Sequence, residues 1–99
     1  MSTLHVLSHS PFTDNRLTSC LCLLGAQDAI LLCGDAVYAL QPNSAPLNAL
    51  QARIDTLHVF VLAEDLQARG LEVPAGVKSV DYPRFVELSI HYDKVNTWL

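Results

Sequence analysis

The sequence predicts an α/β domain in which helices flank a mostly parallel sheet. Short segments rich in β-branched and apolar residues alternate with segments of helical character along the 99 residues. This alternation is typical of parallel strands joined by crossover helices. Capping and turn residues separate the segments, and a chain of this length has room for one hydrophobic core. We therefore expect residues 1–99 to form a single domain.

The first strand and the first helix are predicted near the start of the chain. Thr3–Leu7 is dominated by apolar and β-branched residues, which favour a strand. Asp14 or Thr13 can cap a helix that continues to about Leu24, where Gly25 can end it. These signals place one strand and one helix before residue 26.

The second strand and the second helix follow the same order. Ala29–Cys33 is an uninterrupted apolar run, AILLC, as expected of a strand buried on both faces. Ser44 can cap a helix that continues to about Arg53, and Pro46 fits its first turn because a residue there needs no amide donor. The loop QPNSAP lies between them.

The second half of the chain adds two strands and two helices. Leu57–Leu62 is predicted as the third strand and Val77–Val80 as the fourth. A short helix closed by a glycine is predicted over Glu64–Gly70, and a longer one over Asp81–Tyr92, with Pro83 near its start. The tail KVNTWL is too apolar to stay loose in water, so we expect it to dock on the domain.

The composition and charge of the chain indicate which kinds of partner it can bind. Apolar types make up 51% of the chain and charged types 16%, against about 25% charged in an average soluble domain. This shortage of charge is consistent with a surface partly buried by other subunits, and equally with a sparingly charged monomer. The net charge is −4 and the basic residues are scattered. No basic stripe could hold a phosphate backbone, which argues against direct nucleic-acid binding.

The sequence lacks the segments and motifs that would indicate a membrane protein, a secreted protein or a cofactor-binding protein. No apolar run approaches the roughly 18 residues of a membrane span, and no basic segment precedes a long apolar one, so we expect a cytosolic protein. An odd count of three cysteines then favours free thiols. Glycine-rich phosphate loops, CxxC pairs and HExxH motifs are missing, so neither a cofactor nor a metal is predicted.

The three thiols can serve packing or chemistry. On a helical projection Cys20 lies at the edge of the core-facing arc, whereas Cys22 points away from it. Cys33 ends the second strand, at the sheet edge where α/β proteins bind ligands. A nucleophilic cysteine needs a lowered pKa, and Asp35 beside Cys33 would act in the opposite direction. Free cysteine is among the most buried residue types, which favours packing.

Histidines and acidic residues give weaker signals. His5 and His58 lie inside predicted strands, where a hydrogen-bonded histidine in or near the core is the common case. His9 precedes the first turn. Glu64 and Asp65 are expected to cap the helix that they open.

Four stretches occur in a telling order along the chain. They are TLHVLSHSPFTDNRLTSCL, GDAVYAL, VFVLAEDLQARGL and VDYPRFVELSIHYDKVNTWL, and their most specific pieces are LH, SP, EDLQARG, DYPRFV and the terminal Trp98. Each piece is weak alone, but in this order and spacing they resemble the DsrH/TusB family of DsrE-like sulfur-relay proteins. The resemblance spans nearly the whole chain. It implies a Rossmann-like DsrE fold.

The resemblance also implies partners. Members assemble with TusC- and TusD-like subunits, or their Dsr counterparts, into a heterohexamer built as a dimer of heterotrimers. TusB-type members sit in a relay that accepts persulfide sulfur from TusA and hands it through TusD to TusE, toward 2-thiolation of the wobble uridine in certain tRNAs. The sulfur-carrying cysteine of that relay belongs to the TusD subunit. A non-catalytic, cytoplasmic subunit is therefore the leading interpretation.

Three functions stay open at this point. In the leading hypothesis the chain is a structural or accessory relay subunit, with Phe85 and Trp98 as candidate interface residues. In the second, Cys20 carries persulfide sulfur in a sulfur-oxidation complex, since DsrH-type members have a cysteine at that place. In the third, a free-standing domain binds a small ligand at the edge formed by Cys33 and Asp35.

Overall fold

The computed structural model of the chain describes residues 2–98 and confirms the predicted α/β class. Five strands form one sheet in the order β4-β3-β2-β1-β5, and every neighbouring pair is parallel. The strands are β1 (Thr3–Leu7), β2 (Ala29–Leu32), β3 (His58–Leu62), β4 (Val77–Val80) and β5 (Lys94–Trp98). The helices are α1 (Arg16–Leu23), α2 (Ala45–Gln51), α3 (Ala63–Ala68) and α4 (Tyr82–His91), and a 3₁₀ helix spans Gly34–Leu40.

The two faces of the sheet are covered unequally. Side chains of α1, α2, α3 and the 3₁₀ helix bury one face and form the first core cluster with β1, β2, β3 and β4. The other face is covered by α4, whose Leu88 packs in a second, smaller cluster with residues such as Leu4, Leu31 and Phe60. β2 is buried at every position and contributes side chains to both core clusters. Its continuous apolar sequence predicts this burial on both faces.

One ten-residue helix is small for the face that it covers. A helix with its side chains is about 10–12 Å across, whereas five strands spaced about 4.8 Å apart extend ~19 Å between the outer strands. Accordingly, Val95 of β5 keeps 43% of its surface exposed. Part of this apolar sheet face is thus open to solvent.

Two helix caps with side-chain hydrogen bonds are present, and the sequence predicts the first of them, at Ser44. The hydroxyl of Ser44 accepts a hydrogen bond from the backbone amide of Leu47 (3.3 Å), and the carboxylate of Asp81 accepts one from the amide of Arg84 (2.9 Å). In both helices a proline follows within the first turn. Such caps depend only on neighbouring residues, which is why the local sequence predicts the one at Ser44.

The other predicted caps differ from the structure. Asn15 occupies the cap position of α1 without a side-chain bond, and Asp14 instead accepts from the amide of Arg16 (3.0 Å). Asp65 does not cap α3. Its carboxylate accepts a hydrogen bond from the backbone amide of Gly34 (2.8 Å) and so ties α3 to the turn after β2. Asp65 therefore binds a backbone amide 31 residues away in the sequence and not an amide of its own helix.

The tail docks as predicted, and it does so as a strand. β5 lies at the edge of the sheet beside β1, with Thr3 opposite Lys94 and Leu7 opposite Trp98. The backbone amide of Lys94 donates to the carbonyl of Ser2 (3.1 Å), and the carboxylate of Asp93 accepts from the amide of Ser2 (3.0 Å). The predicted docking of the tail includes Leu99, and the predicted domain includes Met1. Both residues lie outside the described residues.

Candidate functional site

Cys20, the candidate sulfur carrier, is completely buried. Its relative exposure is 0%, and it packs in the first core cluster with residues that include Leu17 and Ile30. Burial, followed by the negative charge of Asp28, raises the pKa of Cys20 to about 12, although the Arg53 guanidinium acts in the opposite direction. A thiol with such a pKa is ionised in only about one molecule in 10⁵ at pH 7. In the free chain Cys20 is therefore a core residue and a poor nucleophile.

The other two thiols are in different surroundings. Cys22 is exposed on α1, as the helical projection predicts, and Cys33 is half-buried just after β2. The thiol of Cys33 lies 3.5 Å from the carbonyl oxygen of Leu7, to which it can donate. Burial, and next the charge of Asp65, raise the pKa of Cys33. Asp65 thus has the effect that the sequence attributes to Asp35.

Charged side chains at the carboxyl edge of the sheet pair with one another and with the backbone. The guanidinium of Arg69 donates to the carboxylate of Asp35 (2.9 Å) and lies 5.6 Å from the ring centroid of Tyr38. Asp65 is held by the amide of Gly34. The carboxylates of Asp35 and Asp65 are engaged in these contacts, whereas Nε of Arg69 is buried without a hydrogen-bond partner among the described residues. One unpartnered donor does not by itself make a ligand site at Cys33 and Asp35.

An apolar groove lies elsewhere, between the loop after β1 and the helices α1 and α2. It has a volume of about 510 Å³ and is lined by residues that include Phe12, Leu17, Leu21 and Pro46. Neither Cys20 nor Cys33 is among its lining residues. A ligand in the groove would therefore not line up against the buried Cys20 or the half-buried Cys33.

A polar triad joins β1, the turn before β2 and β5. The side chain of His5 is buried, its Nε2 lies 3.4 Å from Oδ2 of Asp28, and the indole nitrogen of Trp98 donates to its Nδ1 (3.1 Å). Burial by itself would raise the pKa of Asp28. Hydrogen bonds from the amides of Gly25 and Thr3, and the contact with His5, instead hold it below its usual value. The sequence indicates a hydrogen-bonded His5 but gives no signal for Asp28.

The exposed face of α4 carries an apolar stripe, which we define as Tyr82, Val86 and Ile90. These residues are four apart and therefore share one side of the helix, and they are 56%, 47% and 78% exposed. Phe85, the predicted interface residue, is half-buried, packs against the second core cluster and meets Tyr82 edge to face at 5.8 Å. Trp98 is also half-buried. Helix α4 thus has two apolar sides. The side with Phe85 packs on the sheet, whereas the apolar stripe contacts no other element within residues 2–98.

Other site classes have little support in the part of the chain that the structure describes. Residues 2–98 contain no group of three or more histidine, cysteine, aspartate or glutamate side chains placed to bind a metal ion. Among the same residues, no helix has the length and apolar character needed to span a bilayer.

Known proteins resemble this chain in sequence. The family described as DsrH like protein matches residues 9–95. Curated relatives named Protein TusB include one from Erwinia tasmaniensis that is 38% identical over 97 residues, and one from Yersinia enterocolitica that is 35% identical over 97 residues. Each alignment covers 96% of this chain and 99% of the relative.

Solved structures resemble the chain in fold. The ychN protein from E. coli superposes with a TM-score of 0.77 at 19% identity, covering 99% of this chain and 100% of that one. A protein of unknown function from Methanobacterium thermoautotrophicum gives a TM-score of 0.65 at 12% identity, covering 96% of each chain. At these identities the likeness concerns the fold, and it agrees with the all-parallel architecture described above.

Proposed function

Since this chain belongs to the DsrH family, we propose that it is a TusB-like subunit of a sulfur-relay complex that passes persulfide sulfur toward 2-thiolation of the tRNA wobble uridine. Its proposed partners are TusC- and TusD-like subunits in a heterohexamer, with indirect exchange with TusA- and TusE-like proteins. Its proposed role is structural, and its proposed compartment is the cytoplasm. The observation that carries the proposal is the unpartnered apolar stripe on α4.

The stripe has the character of a subunit contact. Fully burying an aliphatic or aromatic side chain contributes about 1.5–3 kcal/mol, so covering Tyr82, Val86 and Ile90 would contribute several kcal/mol to association. Aromatic residues are enriched in protein interfaces, and Tyr82 contributes one to the stripe. Phe85 and Trp98 adjoin the packed core and present only part of their surface. We propose both as subunit contacts, Phe85 on the α4 side of the sheet and Trp98 on the opposite side.

Burial of Cys20 supports an accessory role over a sulfur-carrying one. To carry sulfur, a thiolate must attack the outer sulfur of a donor persulfide, so that a new S–S bond forms, the donor's S–S bond breaks and the donor cysteine leaves as a thiolate. Cys20 is fully buried and its pKa is about 12. Neither access nor ionisation favours this attack in the free subunit.

Replacement of Cys20 by alanine tests the accessory role. Alanine is preferred to serine because a serine hydroxyl would be buried without a designed partner. We expect Cys20→Ala to cost ~1 kcal/mol of stability from the lost sulfur packing, and to leave complex assembly and cellular tRNA thiolation near the wild-type level. The readout is the 2-thiouridine content of tRNA, measured by mass spectrometry in cells whose own copy is replaced.

Cys22→Ala is the matched control, since it removes an exposed thiol from the same helix. Loss of thiolation in Cys20→Ala, with the complex still assembled, would contradict the accessory role. Exposing the purified complex to a persulfide donor gives an independent reading. A mass gain of one sulfur on Cys20 would establish the carrier function instead.

A further inference from the structure

Helix α4 is apolar around more than half of its circumference. At about 100° per residue its apolar side chains follow one arc of about 200°, in which Ser89 is the only polar residue. In order around the arc, the apolar residues are Leu88, Phe85, Tyr82, Val86 and Ile90. The charged residues and the histidine of the helix lie on the opposite arc, and they are Arg84, Glu87 and His91. A helix that covers one face of a sheet typically has an apolar arc of about 100° or somewhat more, so α4 has apolar surface that its own sheet does not bury.

The topology turns this surplus surface toward β5. Helix α4 connects β4 to β5, which are parallel and lie at opposite edges of the sheet, and such crossovers are right-handed. With Leu88 packed on the sheet, the right-handed winding of the helix places Tyr82 and Val86 on its β5 side. Ile90 then points away from the sheet, which agrees with its exposure of 78%. The charged arc faces the β4 edge.

The sheet is open on the same side. In the register of β1 and β5, Val95 lies opposite Leu4 and shares its face. Thr97 lies opposite Val6 in the same way. Leu4 and Val6 belong to the second core cluster, so Val95 and Thr97 point to the face that α4 covers. Both are exposed, whereas Val80 of β4, at the other edge of this face, is only 6% exposed. The uncovered strip therefore lies over β5.

The stripe and the open strip together form an apolar corner, which we define as Tyr82, Val86, Ile90, Val95 and Thr97. A sheet ~19 Å wide under a helix about 11 Å across leaves a strip ~8 Å wide. This width is close to the 8–10 Å that separates the axes of two packed helices, so the corner has room for one further helix beside α4. No residue of the corner is charged, which favours an uncharged apolar helix side over an acidic or basic segment.

We propose that a helix of a partner subunit lies in this corner, beside α4 and over β5, and completes the helical layer on this face of the sheet. The inference rests on the proposed function, because it names the part of a relay subunit that covers the stripe. Ile90 points away from the sheet of this chain, so the same subunit also has to cover it from the far side. A subunit of the same α/β plan would do so with the uncovered strip of its own sheet.

A glutamate on β5 tests whether the corner is covered. Val95→Glu leaves the new carboxylate hydrated in the free chain, whereas a covering helix would remove its water without offering a partner. We expect the affinity for the proposed partner subunits to fall at least about tenfold, with the far-UV circular dichroism of the free chain unchanged. The measurement is a titration of the free chain with the co-purified partner subunits.

Lys78→Glu is the matched control. Lys78 is exposed on β4, and it lies opposite Phe60 of the second core cluster, so it shares the face of Val95 at the other edge of the sheet. It should bind the partner subunits as the wild type does. Wild-type affinity of Val95→Glu would overturn the inference, and so would an equal loss in Lys78→Glu.

A photocrosslink identifies the occupant, and it decides the question if Val95→Glu does not fold. Thr97 is replaced by p-benzoylphenylalanine, the assembled complex is irradiated, and the crosslinked peptide is sequenced by mass spectrometry. We expect a helix of a TusC- or TusD-like subunit, with apolar residues three or four apart. The same probe at Glu87, which is 66% exposed on the charged arc, should not reach that helix.

The outcomes separate this inference from the proposed function. A crosslink from Thr97 to a strand or to a second copy of this chain, or no crosslink in an assembled complex, would overturn the inference and leave the relay role intact. If the wild-type chain captures no relay subunits at all, the proposed function fails and the inference fails with it.

Discussion

Replacement of Gly76 by alanine should lower the free energy of unfolding by about 3 kcal/mol, a large share of the total for a domain of this size. Gly76 has a φ of +85°, in the left-handed region that favours glycine. A Cβ atom there would lie 2.3 Å from Cγ1 of Ile54, which packs against the first core cluster. The alanine would thus add backbone strain and a steric clash at the same place.

Gly70→Ala is the matched control for that measurement. Gly70 also has a positive φ (+66°), but a Cβ atom there meets nothing within 4 Å. We expect this variant to lose only ~1 kcal/mol, the cost of the left-handed backbone alone. Urea unfolding of both variants separates the two contributions. Equal losses would mean that the close approach of residue 76 to Ile54 is absent in solution.

Replacement of Ile90 by glutamate should remove the chain from its complex. Ile90 is the most exposed residue of the apolar stripe, at 78%, so a carboxylate at this position should leave the free subunit folded, with a stability change within about 0.5 kcal/mol. In an interface the same carboxylate would lose its hydration without gaining a partner. We expect at least about a hundredfold weaker binding to the proposed partners, equivalent to about 3 kcal/mol.

Leu23→Glu provides the comparison for Ile90→Glu. Leu23 is a similarly exposed aliphatic residue (68%), but it lies on α1, which packs on the opposite face of the sheet. Affinity capture of each variant from its own host, with native mass spectrometry of the captured material, measures both. Retention of partners by Ile90→Glu would exclude the stripe as the contact surface. Retention by Leu23→Glu is expected.

The strands of the central sheet could be predicted because their signal is local. The run AILLC of β2 has no polar position, and such a sequence is stable only between two covering layers. β5 was predicted as a docked tail and not as a strand. Its residues 94–97 are polar or exposed, since an edge strand needs few apolar side chains. Only the pairing with β1 makes it a strand.

The functional features were harder to predict, because they depend on residues far apart in sequence. Asp28 and Trp98 meet at His5 from positions 23 and 93 residues away, and no local pattern indicates such a contact. On α4, both Phe85 and Ile90 fit an apolar helix face in the sequence. The crossover of α4 from β4 to β5 decides that Phe85 packs inward and that Ile90 remains exposed.

Cys20 illustrates the same limit in another way. The helical projection places it at the edge of the core-facing arc, where a thiol could be packed or accessible. Its complete burial follows from the packing of α1 into the first core cluster, which the periodicity of α1 alone does not predict. The raised pKa follows from that burial and from Asp28.

The most direct measurement is the native mass of the tagged full-length chain captured from its own host. If the chain is a structural relay subunit, it should arrive with two other small α/β chains in equal amounts, at a mass corresponding to a dimer of heterotrimers. Arrival as a stable monomer, under conditions in which the partner chains are expressed, would contradict that role.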